Sequence, residues 1–103
     1  MATVECFFAL DHPAAQGHFP GNPIIPGAVL LSEALKAIET NLGVILSPCR
    51  IKAAKFFYPT RPGDHVRIEF TGLAPDEIKI ACSVEGKTVL TGVVKCRALR
   101  TTA

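Results

Sequence analysis

Charge is scarce in this chain: 19% of the residues are Asp, Glu, Lys or Arg, and the formal net charge is +2. So small a surplus gives no electrostatic footprint for nucleic acid. The late basic residues Lys95, Arg97 and Arg100 are scattered as on a solvated face. No run approaches the roughly 20 apolar residues that a spanning helix needs, so no membrane span is expected. The opening MATVECFF has neither a basic start nor a long apolar stretch, and no signal peptide is expected. The four cysteines (Cys6, Cys49, Cys82 and Cys96) form no CxxC or Cys/His ligand spacing, which argues against a metal site. Cys6, Cys82 and Cys96 sit in strand-like runs, where a free thiol behaves as a small buried hydrophobe. Repeats, linkers and low-complexity segments are also missing. A cytoplasmic protein with reduced thiols is the expectation.

What is present is apolar material and turn chemistry. The hydrophobic fraction is 49% over 103 residues, enough for one core, and a single domain over 1–103 is expected. VECFFAL (Val4 to Leu10) reads as a first strand, and Ala28 to about Leu42 as the only helix. On that helix Leu31, Leu35, Ile38 and Leu42 share one face, with Ser32, Lys36, Glu39 and Thr40 on another. Strands are expected over 50–58, 65–71, 78–84 and 88–97. PTRPGD, Ala74 to Glu77 and a tight Glu85–Gly86–Lys87 hairpin separate them. Val66, Ile68 and Phe70 alternate with Arg67 and Glu69, and Gly92 is read as a bulge. The tail from Ala98 has little to hold it. One strand, one helix and then consecutive antiparallel strands make an α+β pattern.

The densest punctuation lies between His12 and Glu33, HPAAQGHFPGNPIIPGAVLLSE, with four prolines and three glycines. Prolines stiffen the loop, glycines allow close approach, and the run ends where a helix begins. A stiff loop that presents an imidazole beside a helix N-terminus reads as a site. The run GHFPGNPIIPGAVLLSEAL resembles the signature of the (3R)-hydroxyacyl-acyl-carrier-protein dehydratases. Gly17, His18, Phe19, Pro20, Gly21, Pro23, Pro26 and Gly27 stand in that family's order and spacing. KFFYPTRPGDHVRIEF is similar to its strand–turn–strand segment. The resemblance implies the hot-dog fold, an antiparallel sheet wrapped around one central helix. It also implies a non-proline cis bond after His18.

Dehydrating a 3-hydroxyacyl thioester removes a proton from C2 and expels the hydroxyl from C3. An imidazole suits the first step, and backbone N–H groups at a helix N-terminus suit the developing enolate. The resemblance therefore implies His18 as base, with Phe19, Gly27 and Ala28 binding substrate. The acid departs from the pattern. Those dehydratases carry Glu or Asp fourteen residues after the loop histidine, acting across a dimer interface, and this chain has Ser32 there. Glu33 is one residue on, rotated by about 100°. A hydroxyl does not match a carboxyl as proton donor, so the departure bears on dehydration and leaves acyl-thioester binding intact. Glu33 and Ser32 are kept as catalytic candidates.

Plainer readings stand beside these: His18 bonding its own loop backbone, Glu33 a surface or interface carboxylate, and Ser32 bonding its own helix. His12 and His65 read as turn and strand-end residues, and Phe56, Phe57 and Tyr58 as sheet packing. Three functions follow: a dehydratase or hydratase of fatty-acid or polyketide/polyene synthesis; an acyl-binding paralogue that pairs with an active dehydratase; and a thioesterase, for which no motif is found. The expected substrate is an acyl thioester on acyl-carrier protein or coenzyme A, with no cofactor and no metal. The expected assembly is a homodimer or higher, or a heterodimer with a related dehydratase, since a small protomer leaves an open sheet edge.

Overall fold

The structure is a computed structural model that describes residues 2–11, 24–46, 48–96 and, by backbone, 100–101. The described elements are β1 (Ala2–Phe7), α1 (Gly27–Leu42), β2 (Val44–Ile45), β3 (Cys49–Phe56), β4 (His65–Ala74), β5 (Glu77–Val84), β6 (Lys87–Cys96) and β7 (Arg100–Thr101). Five strands form one antiparallel sheet in the order β1-β4-β5-β6-β3, and β2 pairs with β7 in a small second sheet. The last pairing corrects the expectation of an unheld tail: Val44 is opposite Thr101 and Ile45 opposite Arg100. Two residues of β2 gave too short an apolar run to stand out as a strand.

Alternation decides which residues turn inward. Val66, Ile68 and Phe70 of β4 are buried and Arg67 is exposed, as their period of two requires. Ile78, Ile80 and Cys82 repeat the pattern in β5, and Leu90, Val94 and Cys96 join them from β6. Phe8, Leu46 and one side of α1 complete the apolar core. The helical face is set by Leu30, Leu31, Ala34 and Ile38. This differs in part from the expected stripe. Leu35 is only partly buried, and Leu42 is 44% exposed because it lies in the last turn, beyond the sheet. Gly43 ends the helix in the left-handed conformation (φ 67°), and its N–H donates to the Glu39 carbonyl.

The β5–β6 connection is Glu85–Gly86, with φ values of 51° and 79°. Two left-handed residues in a two-residue loop are the type I′ hairpin geometry, whose twist matches its strands. Gly92 is not a bulge, for it stays in register opposite both Ala54 and Ile80. A β-carbon there would lie 3.2 Å from the Ala53 carbonyl oxygen, so the missing side chain serves close approach. The irregularity in β3 falls instead between Ile51 and Ala53.

Candidate functional site

The N-terminus of α1 has no side-chain cap among the described residues. Pro26 caps it with φ −56° and ψ 142°, and its carbonyl accepts from Val29 at 2.9 Å and Leu30 at 3.0 Å. The N–H groups of Gly27 and Ala28 thus lead the helix dipole. The approach to the helix is pinned: the Ile25 N–H donates to the Thr60 carbonyl at 2.7 Å, and Phe57 N–H donates to Val89 at 2.9 Å.

Two hollows border Ala28 at this helix start. One, of about 490 Å³, lies between Ile24, Gly27 and Ala28 on one side and Phe56, Tyr58 and Thr60 on the other. The second, of about 350 Å³, runs along the helix past Ala28, Ser32, Leu35 and Glu39, with Cys49 and Ile51 of β3 as its far wall. Ala28 belongs to both. The missing side chain of Gly27 lets the Phe56 ring approach, since a β-carbon would lie 2.6 Å from its Cε1 and the half-exposed ring would have to move. Thr60 is 2% exposed, and its Oγ1 has no hydrogen-bond partner among the described residues. A further hollow, of about 490 Å³, opens on the outer sheet face beside Glu5, His65 and Arg67, away from the helix start.

Gly27, Ala28 and Ser32, three of the residues singled out in the sequence, thus come together on one helix edge. Ser32 is exposed, and its i,i+4 relation to Ala28 sets both on the same groove. Glu33 does not join them. Its carboxylate is 3.7 Å from Lys36 Nζ, and it lies near Cys6 of β1, whose thiol is pushed up by burial and, next, by the Glu33 charge. His12, His18, Phe19 and the bond after His18 lie outside the described residues. His65 packs against Phe7 with ring centroids 4.5 Å apart and the rings tilted by 40°.

Phe56, Phe57 and Tyr58 are not sheet packing. They are 50%, 44% and 49% exposed, because β3 is an edge strand, and the Phe56 ring lies against Gly27 at the helix start. Lys55 Nζ lies 5.3 Å from the Phe57 ring centroid, and Lys87 Nζ 3.6 Å from that of Tyr58. Sequence reasoning also missed Glu39, which turns the chain after the helix by accepting the Leu46 N–H at 2.8 Å. Nothing in the local sequence marked that pairing across seven positions. Among the described residues no group of three His, Cys, Asp or Glu is set to hold a metal ion. No described helix is long and apolar enough to cross a membrane.

The sequence profile of the ApeI-like group, described as ApeI dehydratase, matches residues 1–93. The chain belongs to the ApeI-like family. Its similarity extends to curated dehydratases. A 3-hydroxyacyl-acyl-carrier-protein dehydratase FabZ from Acetivibrio thermocellus is 35% identical over 98 residues, covering 84% of this chain and 66% of its own length. One from Caulobacter sp. is 34% identical over 105 residues, covering 80% and 63%. This ApeI-like chain therefore spans slightly less than two thirds of those relatives. In structure it is similar to the dehydratase heterocomplex ApeI:P from Xenorhabdus doucetiae, with TM-score 0.71, 22% identity, and 92% and 86% of the two chains covered. An (R)-hydratase from A. caviae involved in PHA biosynthesis gives TM-score 0.62 at 22% identity, covering 93% of each chain. These neighbours establish the hot-dog fold, as the resemblance implied.

Proposed function

We propose that this ApeI-like chain acts on 3-hydroxyacyl thioesters, as one half of a dehydratase site. The observation that carries the reading is the helix start, uncapped among the described residues, where Ala28 borders two hollows and Gly27 one of them. The Gly27 and Ala28 N–H groups receive the charge that develops on the thioester carbonyl. His18 takes the C2 proton, and Phe19 lines the acyl path. The C3–O bond then breaks, and the hydroxyl leaves as water with a proton from an acid. The products are a 2-enoyl thioester and water.

On this reading that acid comes from elsewhere, because the carboxylate on the described groove wall, Glu39, lies two turns beyond Ser32 and accepts the Leu46 N–H at 2.8 Å. Ser32 occupies the position where the resembling dehydratases carry Glu or Asp, and Glu33 is engaged with Lys36 on another side of α1. Two copies of this chain would leave both sites without the carboxyl group. A heterodimer with a related chain that carries the carboxylate completes one site, His18 from here and the acid from the partner. The edge position of β3, with Ile51 54% exposed, supports sheet-to-sheet association at that face. The Xenorhabdus neighbour is itself a dehydratase heterocomplex, which lends the reading further support.

The rest of the reading is a domain over 1–103, working in the cytoplasm, with substrate on acyl-carrier protein or coenzyme A in fatty-acid or polyketide/polyene synthesis. An acyl-binding role without turnover is the form this reading takes when no acidic partner is present. The test is incubation with 3-hydroxybutyryl and crotonyl thioesters, alone and with a carboxylate-bearing related chain. Turnover that appears on mixing supports the reading. Thioester hydrolysis in place of dehydration would contradict it.

A further inference from the structure

Cys49 and Cys96 are directly opposite each other on β3 and β6. The Cys96 N–H turns away from β3 and donates to the Asp76 carbonyl at 2.7 Å. A strand residue's N–H and C=O point to the same side, so on the β3 side this is a non-hydrogen-bonded pair. In such pairs the Cα atoms are about 4.5 Å apart, inside the range of about 4.4–6.8 Å that a disulfide spans. Opposed residues also present their side chains on one face, so the two thiols are neighbours across the strand pair.

We infer that Cys49 and Cys96 are a redox pair that closes to a reversible cross-strand disulfide, with Cys49 reacting first and Cys96 resolving. The order follows from access. Cys49 is half-buried and lines the groove that holds Ser32, whereas Cys96 is 3% exposed. Burial first, then the neighbouring Cys49 thiol and the nearby Glu39 and Asp76 carboxylates, push the Cys96 thiol up to about 12, so it stays protonated until an activated sulfur is beside it. Closing the pair costs one weak contact, the Cys49 Sγ–H donated to the Leu46 carbonyl at 3.0 Å.

With a peroxide as oxidant the steps balance. The Cys49 thiolate attacks one peroxide oxygen, the O–O bond breaks, and the departing hydroxide takes a proton to leave as water. The resulting sulfenic sulfur is attacked by Cys96 sulfur; the S–O bond breaks and a second water leaves with the Cys96 proton. Two thiols are oxidised and one peroxide is reduced. The bond ties the start of the edge strand to β6 and fixes one wall of the groove. A disulfide of this kind in a reducing compartment is transient, which suits a sensor.

The experiment uses the full chain, treated with hydrogen peroxide, quenched with N-ethylmaleimide and mapped by mass spectrometry without reductant. The expected result is a Cys49–Cys96 linked peptide and a raised Tm, both reversed by dithiothreitol. In Cys96→Ser, Cys49 should instead be trapped as a sulfenic acid by dimedone, with no rise in Tm. In Cys49→Ser, Cys96 should remain unoxidised at the same dose. A wild-type map in which the two stay unlinked, whether free, over-oxidised or joined to Cys6 or Cys82, overturns the inference.

Discussion

Gly27 and Phe56 meet at the helix start, where a β-carbon on the glycine would lie 2.6 Å from the phenylalanine Cε1 and 2.9 Å from its Cζ. The ring comes from the edge strand and the glycine from the first helical turn, so the contact sets the width of the mouth between them. Gly27→Ala should strain this contact, with a net change of about 1 kcal/mol or less, because Cε1 and Cζ are the far end of a half-exposed side chain that can swing away and alanine favours the helix. Phe56→Ala in the same chain should relieve that strain, so the double variant should melt above the sum of the two single losses. Additive losses would show that the two residues do not press on each other.

Ile38 is fully buried on the inner face of α1, whereas Leu42, one turn on, is 44% exposed. Ile38→Ala should therefore cost about 2–5 kcal/mol in urea unfolding. Leu42→Ala should stay within about 0.5 kcal/mol, as surface changes do. Equal losses would restore the wider stripe that the sequence spacing suggests.

That contrast also indicates how far the sequence was readable. Strong alternation in Val66, Ile68 and Phe70 fixed the inner face of β4, and Glu85–Gly86 marked the β5–β6 hairpin, because both depend on neighbours in the chain. Ala28 and Ser32 share a groove for the same local reason, helical spacing. The exposure of Phe56 to Tyr58 was not legible, since it depends on β3 being the last strand of the sheet rather than on any nearby residue. The opposition of Cys49 and Cys96 arises from register between strands far apart in sequence. The Glu39–Leu46 bond likewise appears only once the chain has turned back.

Cys82 is fully buried in β5, and burial, helped by Cys6, raises its thiol from 9.0 to about 12. The unfolded chain loses this proton more readily than the folded one. The stability from the neutral buried thiol is therefore complete below about pH 9 and is lost as pH rises towards 12. Stability of the wild type should fall across that window more steeply than that of Cys82→Ala. Parallel pH profiles for the two proteins would rule out a contribution from this thiol.

Ser32 and Glu33 sit one residue apart on different sides of α1, with Glu33 held near Lys36. Glu33→Gln should accordingly leave turnover of a mixed dehydratase within a factor of about 3, far below the roughly 10²–10⁴-fold worth of a positioned acid. Ser32→Glu should give the chain alone measurable dehydration, with melting checked beside it because an unpartnered carboxyl group can cost a few kcal/mol.

The central claim is that this chain supplies the base and the oxyanion donors while another chain supplies the acid. Its most direct test is the initial rate of 3-hydroxybutyryl-thioester dehydration by the purified chain, by a carboxylate-bearing related chain whose own loop histidine is replaced by alanine, and by the two mixed. Little turnover is expected from either alone and strong turnover from the mixture, with a loss of about 10²–10⁴-fold in the mixture when His18→Ala is used. Full turnover by this chain alone, abolished by Glu33→Gln, would contradict the claim.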